Sequence, residues 1–219
     1  MEVYQTEDQQ VESLKQWWAK NARSTIVALI AGLGIILGGR AWVDYKDAQS
    51  SAASVLYQAM LNAMKENKLD AALEQGARIL GQYDSTPYAT LAALATAKVK
   101  MEQADTAAAR TQLQWVLDHG KPQEMVNIAH LRMARILMES GEAQQALTLL
   151  GGEPPAGFVG AYKELEGDLY RALGQTDNAR SAYRSALAAL TPQARNRADL
   201  QMKLDDVGGG AAPAETPRT

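Results

Sequence analysis

The polarity of the chain changes abruptly at Ser24. From there to Gly39 the run STIVALIAGLGIILGG carries no charge, with Trp17 and Trp18 ahead of it and Trp42 beyond it. At ~1.5 Å of rise per residue, a helix from Trp18 to Trp42 is roughly 36 Å long. That length crosses a hydrocarbon layer ~30 Å thick and sets tryptophans near both interfaces, where their amphipathic rings are favoured. Arg40 lies near enough to the end of the apolar stretch to snorkel outward. The pattern predicts one transmembrane helix over residues 24–43. Two alternatives compete with it: a buried core helix, and a secretory leader cleaved near Ser51-Ala52-Ala53. The acidic opening (Glu2, Glu7, Asp8, Glu12) and the long segment before the apolar run disfavour the leader.

Beyond the span, apolar residues recur with helical period, and one frame repeats four times. Aligning Ala72, Ala109, Ala146 and Ala179 as anchors places Asn67, Ala104, Gly141 and Gly174 five residues earlier. Twelve residues before each anchor stand Met60, Ala97, Ala134 and Gly167; four residues after it stand Gly76, Leu113, Leu150 and Tyr183. Spacings of 37, 37 and 33 residues between anchors resemble the tetratricopeptide repeat, a helix-turn-helix unit. Small residues let the two helices of a unit approach, and a Gly or Asn ends the first helix in a left-handed conformation. The first unit departs from the pattern, because Gly76 stands where a large side chain is expected. Prolines and glycines punctuate the array at Pro87, Pro122 and, most strongly, Gly151-Gly152-Glu153-Pro154-Pro155, which should shorten the third B helix. An amphipathic stretch over about 192–207 suits a capping helix.

The predicted fold is therefore all-α: a single N-terminal transmembrane helix, then a tetratricopeptide-repeat-like α-solenoid of about four helix pairs with a C-terminal cap. The domains read as 1–23, a cytoplasmic segment; 24–43, the span; 47–207, the repeat domain; and 208–219, a Gly/Ala/Pro/Thr tail expected to be disordered. Orientation follows from Lys15, Lys20 and Arg23 before the span against Arg40 and Lys46 after it, which keeps the short N-terminal side in the cytoplasm.

Composition adds mainly exclusions. Without cysteine there is no disulfide framework, and a net charge of −3 with scattered basic residues argues against nucleic acid. No nucleophile, metal cluster or cofactor motif stands out. His119 precedes a helix end, His130 lies within an A helix, and Glu164, Glu166 and Asp168 read as a solvated helical face. An enzyme is not expected, and neither is a cofactor.

Binding surfaces are more evident. Ala31, Gly34, Gly38 and Ala41 form a small-residue strip in the span that allows close approach of another helix. On the repeat domain, the frame makes Met64, Met101 and Met138 equivalent. It does the same for Tyr57, Leu94 and Leu131, and for Leu61, Lys98 and Arg135. These nine residues are the candidate peptide groove on the A helices, with core packing as the competing reading; methionine adapts to varied apolar shapes. Lys98 and Arg135 lack the asparagines of a carboxylate-clamp array, which argues against docking of a chaperone's acidic C-terminal tail.

The opening MEVYQTEDQQVESLKQWWAKNARSTIVALIAGLGIILGGRAW, followed by the repeat domain and LQMKLDDV, resembles the YfgM family. Those proteins are ancillary subunits of the SecYEG translocon of Gram-negative bacteria. The resemblance implies a single-pass inner-membrane protein with its repeat domain in the periplasm. It implies association with SecYEG and with a PpiD-like membrane-anchored chaperone, and a role in receiving unfolded secretory proteins as they emerge. It carries no catalytic residues. A scaffold or adaptor of another envelope-assembly machine is the alternative.

Overall fold

The computed structural model describes residues 7–208; the tail expected to be disordered from 209 onward, and the first residues of the N-terminal segment, lie outside the described residues. Among the described residues every regular element is helical, in the order α1 (Glu7–Lys65), α2 (Leu69–Gln82), α3 (Pro87–Glu102), α4 (Thr106–His119), α5 (Gln123–Glu139), α6 (Ala143–Leu150), α7 (Val159–Ala172), α8 (Thr176–Ala189) and α9 (Arg197–Asp206). The chain divides into two compact units, Met1–Ser51 and Ala52–Thr219, so α1 contributes to both.

In the first unit, none of the residues in the most apolar window of α1 is buried by protein. Ile35 is 76% exposed and Leu29 66%. Water would penalise such a surface by ~25 cal/mol for each Å² of apolar area, so a buried core helix is excluded and a lipid environment is the solvent this surface fits. Aromatic pairs mark both flanks: the Trp17 and Trp18 rings lie 6.3 Å apart, as do those of Trp42 and Tyr45. The Lys46 ammonium sits 5.4 Å from the centre of the Trp42 ring.

In the second unit, Met60 in the last turns of α1 packs against Ala72, Gly76 and Ile79 of α2; α3 pairs with α4, α5 with α6 and α7 with α8, and α9 packs on α8. The four anchors Ala72, Ala109, Ala146 and Ala179 are completely buried. Each sits at the contact between paired helices, where anything larger than a methyl would force the helices apart. All four turns close in the same way. Asn67, Ala104, Gly141 and Gly174 have φ of 56°, 58°, 79° and 72°. The amide after each donates to a carbonyl five residues back (Lys68 to Ala63, Asp105 to Lys100, Glu142 to Leu137, Gln175 to Tyr170), every one at 2.8 Å. This double-bonded ending satisfies carbonyls that the helix itself leaves unpaired. Ala104 adopts it despite its Cβ.

The degenerate first unit has a packing explanation. In the fourth repeat, small Gly167 on α7 faces large Tyr183 on α8; in the first, large Met60 on α1 faces Gly76 on α2. A Cβ on Gly76 would stand 3.3 Å from the Met60 Cε and 2.6 Å from the Thr96 Oγ1. The bulk has changed sides while the sum is kept. The third B helix is short, as expected: α6 has eight residues against fourteen in α2, α4 and α8, and stops at Gly151 ahead of the Pro154-Pro155 break. The cap is narrower than expected, beginning at Arg197 rather than near 192. Leu200, Leu204 and Val207 cover the end of the array, and the Arg180 guanidinium donates to the Val207 carbonyl at 2.7 Å.

Candidate protein-docking surface

Helices α3 and α5 are successive A helices, and their neighbouring faces enclose a slot of about 280 Å³. Ala97 and Met101 of α3, Leu113 of α4 and Ile136 of α5 form its apolar floor; Lys98, Arg132 and Arg135 form the rim. Three of the expected groove residues, Lys98, Met101 and Arg135, are thus brought together. Met138 lines a second cavity of about 390 Å³ one turn further along α5, with Glu139, Asp168, Arg171 and Lys203.

The other groove residues divide by burial. Leu94 and Leu131 are only 5% and 6% exposed and belong to the central core. Their side chains pack within that core, the competing reading of these positions, and line none of the cavities of the array. Tyr57 and Met64 are half-buried against the first core cluster, and the Tyr57 ring lies 5.9 Å from that of Tyr88. Leu61 is half-buried and lines none of these cavities. Ala31, Gly34, Gly38 and Ala41 are exposed, and a Cβ on Gly34 or Gly38 would meet nothing within 4 Å.

The electrostatics of the two A-face cavities differ. In the second, the Lys203 ammonium bridges Glu164 at 2.9 Å and Asp168 at 2.8 Å, and the Tyr183 hydroxyl donates to Asp168 at 2.8 Å. Burial opposes the Lys203 charge, but its hydrogen bonds to Asp168 and Glu164 prevail and raise its pKa. Burial and the same Asp168 contact push the Tyr183 hydroxyl well up. Glu164 and Asp168 are therefore structural partners of the cap rather than a merely solvated face; Glu166 faces elsewhere and pairs with Lys163 at 2.7 Å. In the first slot nothing comparable neutralises the rim. Arg132 donates to the Leu94 carbonyl at 3.1 Å, and burial, with Arg135 nearby, holds its pKa below the usual arginine range. Arg132 escaped the sequence reading, although its spacing of three from Arg135 places both on one helical face.

A larger groove of about 860 Å³ lies on the other layer of the array, between α4 and α6, and was not expected. Its floor is Met133 and Leu137 of α5, and Trp115 and Leu149 form apolar walls. The Trp115 and His119 rings stack 5.2 Å apart, and the His119 Nδ1 lies 3.1 Å from the Trp115 carbonyl oxygen, the helix-end contact expected of this residue. At one end Arg110 and Glu142 pair at 2.7 Å, which holds the Glu142 carboxyl below its ordinary range. The legible signal was the Pro-Pro break, which leaves α6 too short to cover the end of α4.

Among the described residues no three His, Asp or Glu side chains converge as metal ligands. The fold defines a class: an array of helix pairs that presents surfaces, preceded by one apolar helix long enough to cross a bilayer. The chain belongs to the family described as tetratricopeptide repeat-like domain, which matches residues 15–209. It is 27% identical over 208 residues to a protein of Escherichia coli K12 named "Ancillary SecYEG translocon subunit", covering 94% of this chain and 99% of that one. A protein of the same name from Haemophilus influenzae is 29% identical over 182 residues, covering 82% of this chain and 88% of that one. Another, from Aggregatibacter actinomycetemcomitans, is 28% identical over 181 residues, with the same coverage. These likenesses bear out the resemblance to the YfgM family.

Proposed function

We propose that this protein is a non-enzymatic ancillary subunit of the SecYEG translocon, anchored in the inner membrane by α1 and working through protein contacts of its repeat domain. The observation that carries the reading is likeness over nearly the whole chain to proteins of that name, spanning the apolar helix as well as the array. The basic residues Lys15, Lys20 and Arg23 favour a cytoplasmic N-terminus, which sends the repeat domain to the periplasm. There the slot around Met101 would meet a membrane-anchored chaperone of the PpiD kind, emerging secretory chains, or both. The strip Ala31, Gly34, Gly38 and Ala41, open along its length, would face a partner helix within the bilayer.

A photo-crosslinker at Met101 in intact membranes tests the first half, and co-purification in mild detergent the second. Crosslinks to a periplasmic chaperone or a translocating chain, with SecYEG in the eluate, are expected. Elution with a different envelope complex would replace the reading by a scaffold of that machine. Protease added to spheroplasts should degrade the repeat domain; protection would reverse the orientation.

A further inference from the structure

Lys98, Arg132 and Arg135 rim one apolar slot, and among the described residues no carboxylate approaches Arg132 or Arg135 within ion-pair distance. Lys98 has one loose partner, Glu102 at 3.6 Å, in a pair whose side chains are 62% and 46% exposed. Such a pair is screened by water and readily exchanged. The imbalance is local. At the position equivalent to Lys98 and Arg135 the fourth repeat carries Asp168, already neutralised by Lys203. Two guanidiniums and an ammonium around Met101 and Ile136 therefore repel one another, and an incoming carboxylate would relieve that repulsion. A guanidinium can take a carboxylate through two parallel N–H bonds, and Met101 can reshape around an apolar side chain between them. The slot's 280 Å³ holds a side chain, not a folded element.

We infer that the slot between α3 and α5 selects an acidic segment of a partner protein, an internal stretch in which an apolar residue is flanked by aspartate or glutamate. The inference rests on the proposal that the A-helix face docks proteins, and it adds the chemistry of the bound sequence. The internal position follows from the shape of the rim, which places cations on both helices around the floor rather than clustering them at one end for a single terminal carboxylate.

The test uses the full-length protein in nanodiscs of zwitterionic lipid. Its probes are fluorescent peptides with blocked ends: Leu between pairs of Glu, the same with Gln or Lys for Glu, and the same with Ser for Leu. The acidic Leu peptide should bind at least ~tenfold tighter than the Gln, Lys and Ser forms, and raised salt should weaken it. Lys98→Glu with Arg135→Glu should abolish that binding and transfer the preference to the Lys peptide. Both side chains are exposed, so the fold tolerates the change; Arg132→Gln, which keeps a donor to the Leu94 carbonyl, should weaken binding alone. Equal binding of all four peptides, no binding, or a charge reversal without effect would overturn the inference. If the reversed variant loses peptide selectivity yet the unaltered chain never co-purifies with SecYEG, the proposed function fails and the slot chemistry stands. If SecYEG co-purifies but selectivity is absent, only the slot chemistry fails.

Discussion

Gly167 lies so close to the Tyr183 ring that a Cβ on it would overlap the ring's Cε1 and Cδ1 atoms. Tyr183 is completely buried and anchored by its hydroxyl on Asp168, so the ring cannot retreat. The contact locks α7 to α8 and, through Lys203, to the cap. Met60 over Gly76 performs the same service at the opposite end of the array with the sizes exchanged.

Gly167→Ala should therefore be costly. Overpacking a rigid core costs about 1–3 kcal/mol, and loss of the Tyr183–Asp168 bond would add to it. The cooperative thermal transition of the purified protein should fall by several degrees. An unchanged midpoint would mean that the ring has room which this packing denies it.

Ala104→Gly should do the opposite. Of the four left-handed turns, this one alone holds an alanine, at φ 58°. The left-handed conformation costs an L-residue roughly 1–2 kcal/mol, partly offset by the greater freedom glycine has when unfolded. A net gain of about 0.5–1 kcal/mol is expected, read from a denaturation midpoint shifted upward with unchanged slope. Gly141→Ala and Gly174→Ala, at φ 79° and 72°, should shift it downward.

Stability should decline as the solution is acidified from neutral pH. Burial lowers the pKa of His130 below its ordinary 6.5, so the folded form prefers the neutral imidazole. Above about 6.5 both states are neutral and the full stability is present; below it the unfolded chain takes up the proton first, and stability falls towards the folded pKa. His130→Gln should flatten this part of the profile. A slope between pH 7 and 5 that survives the substitution would assign it to other groups.

Lys203→Met should loosen the cap rather than unfold the domain. It leaves Glu164 and Asp168 without their shared cation, and both are largely enclosed. Hydrogen exchange of the α9 amides should accelerate while those of α3 to α5 stay protected. Uniform acceleration across the array would show that α9 is integral to the fold and no mere cap.

Leu33→Arg places a charge near the centre of the apolar run of α1, at a cost of about 2.5–3.5 kcal/mol for a membrane-inserted helix. The unaltered protein should remain in the membrane pellet through alkaline carbonate and the variant should appear partly in the supernatant. Extraction of the unaltered protein would remove the membrane anchor from the account.

Local rules made much of this molecule legible from its residues alone. The apolar run between tryptophans marks a helix long and apolar enough to cross a bilayer, because bilayer thickness and helical rise are constants. The repeat frame follows from spacing, since a left-handed turn favours Gly or Asn and a close helix contact favours a small residue, and Ala104 keeps the register without being the favoured type. Thus Asn67, Ala104, Gly141 and Gly174 all turn left-handed, and all four anchors are buried. What the tertiary structure alone decided is which equivalent positions remain open. Leu94 and Leu131 shared a register with Tyr57 yet entered the core, while Met101 and Arg135 stayed at a slot that Arg132 completes. The groove beside Trp115, and the exchange of bulk between Met60 and Gly76, belong to the same category. Exposure in a stacked array depends on how far one helix pair stands from the next, and that distance is set by side chains more than thirty residues away, beyond the reach of any local pattern.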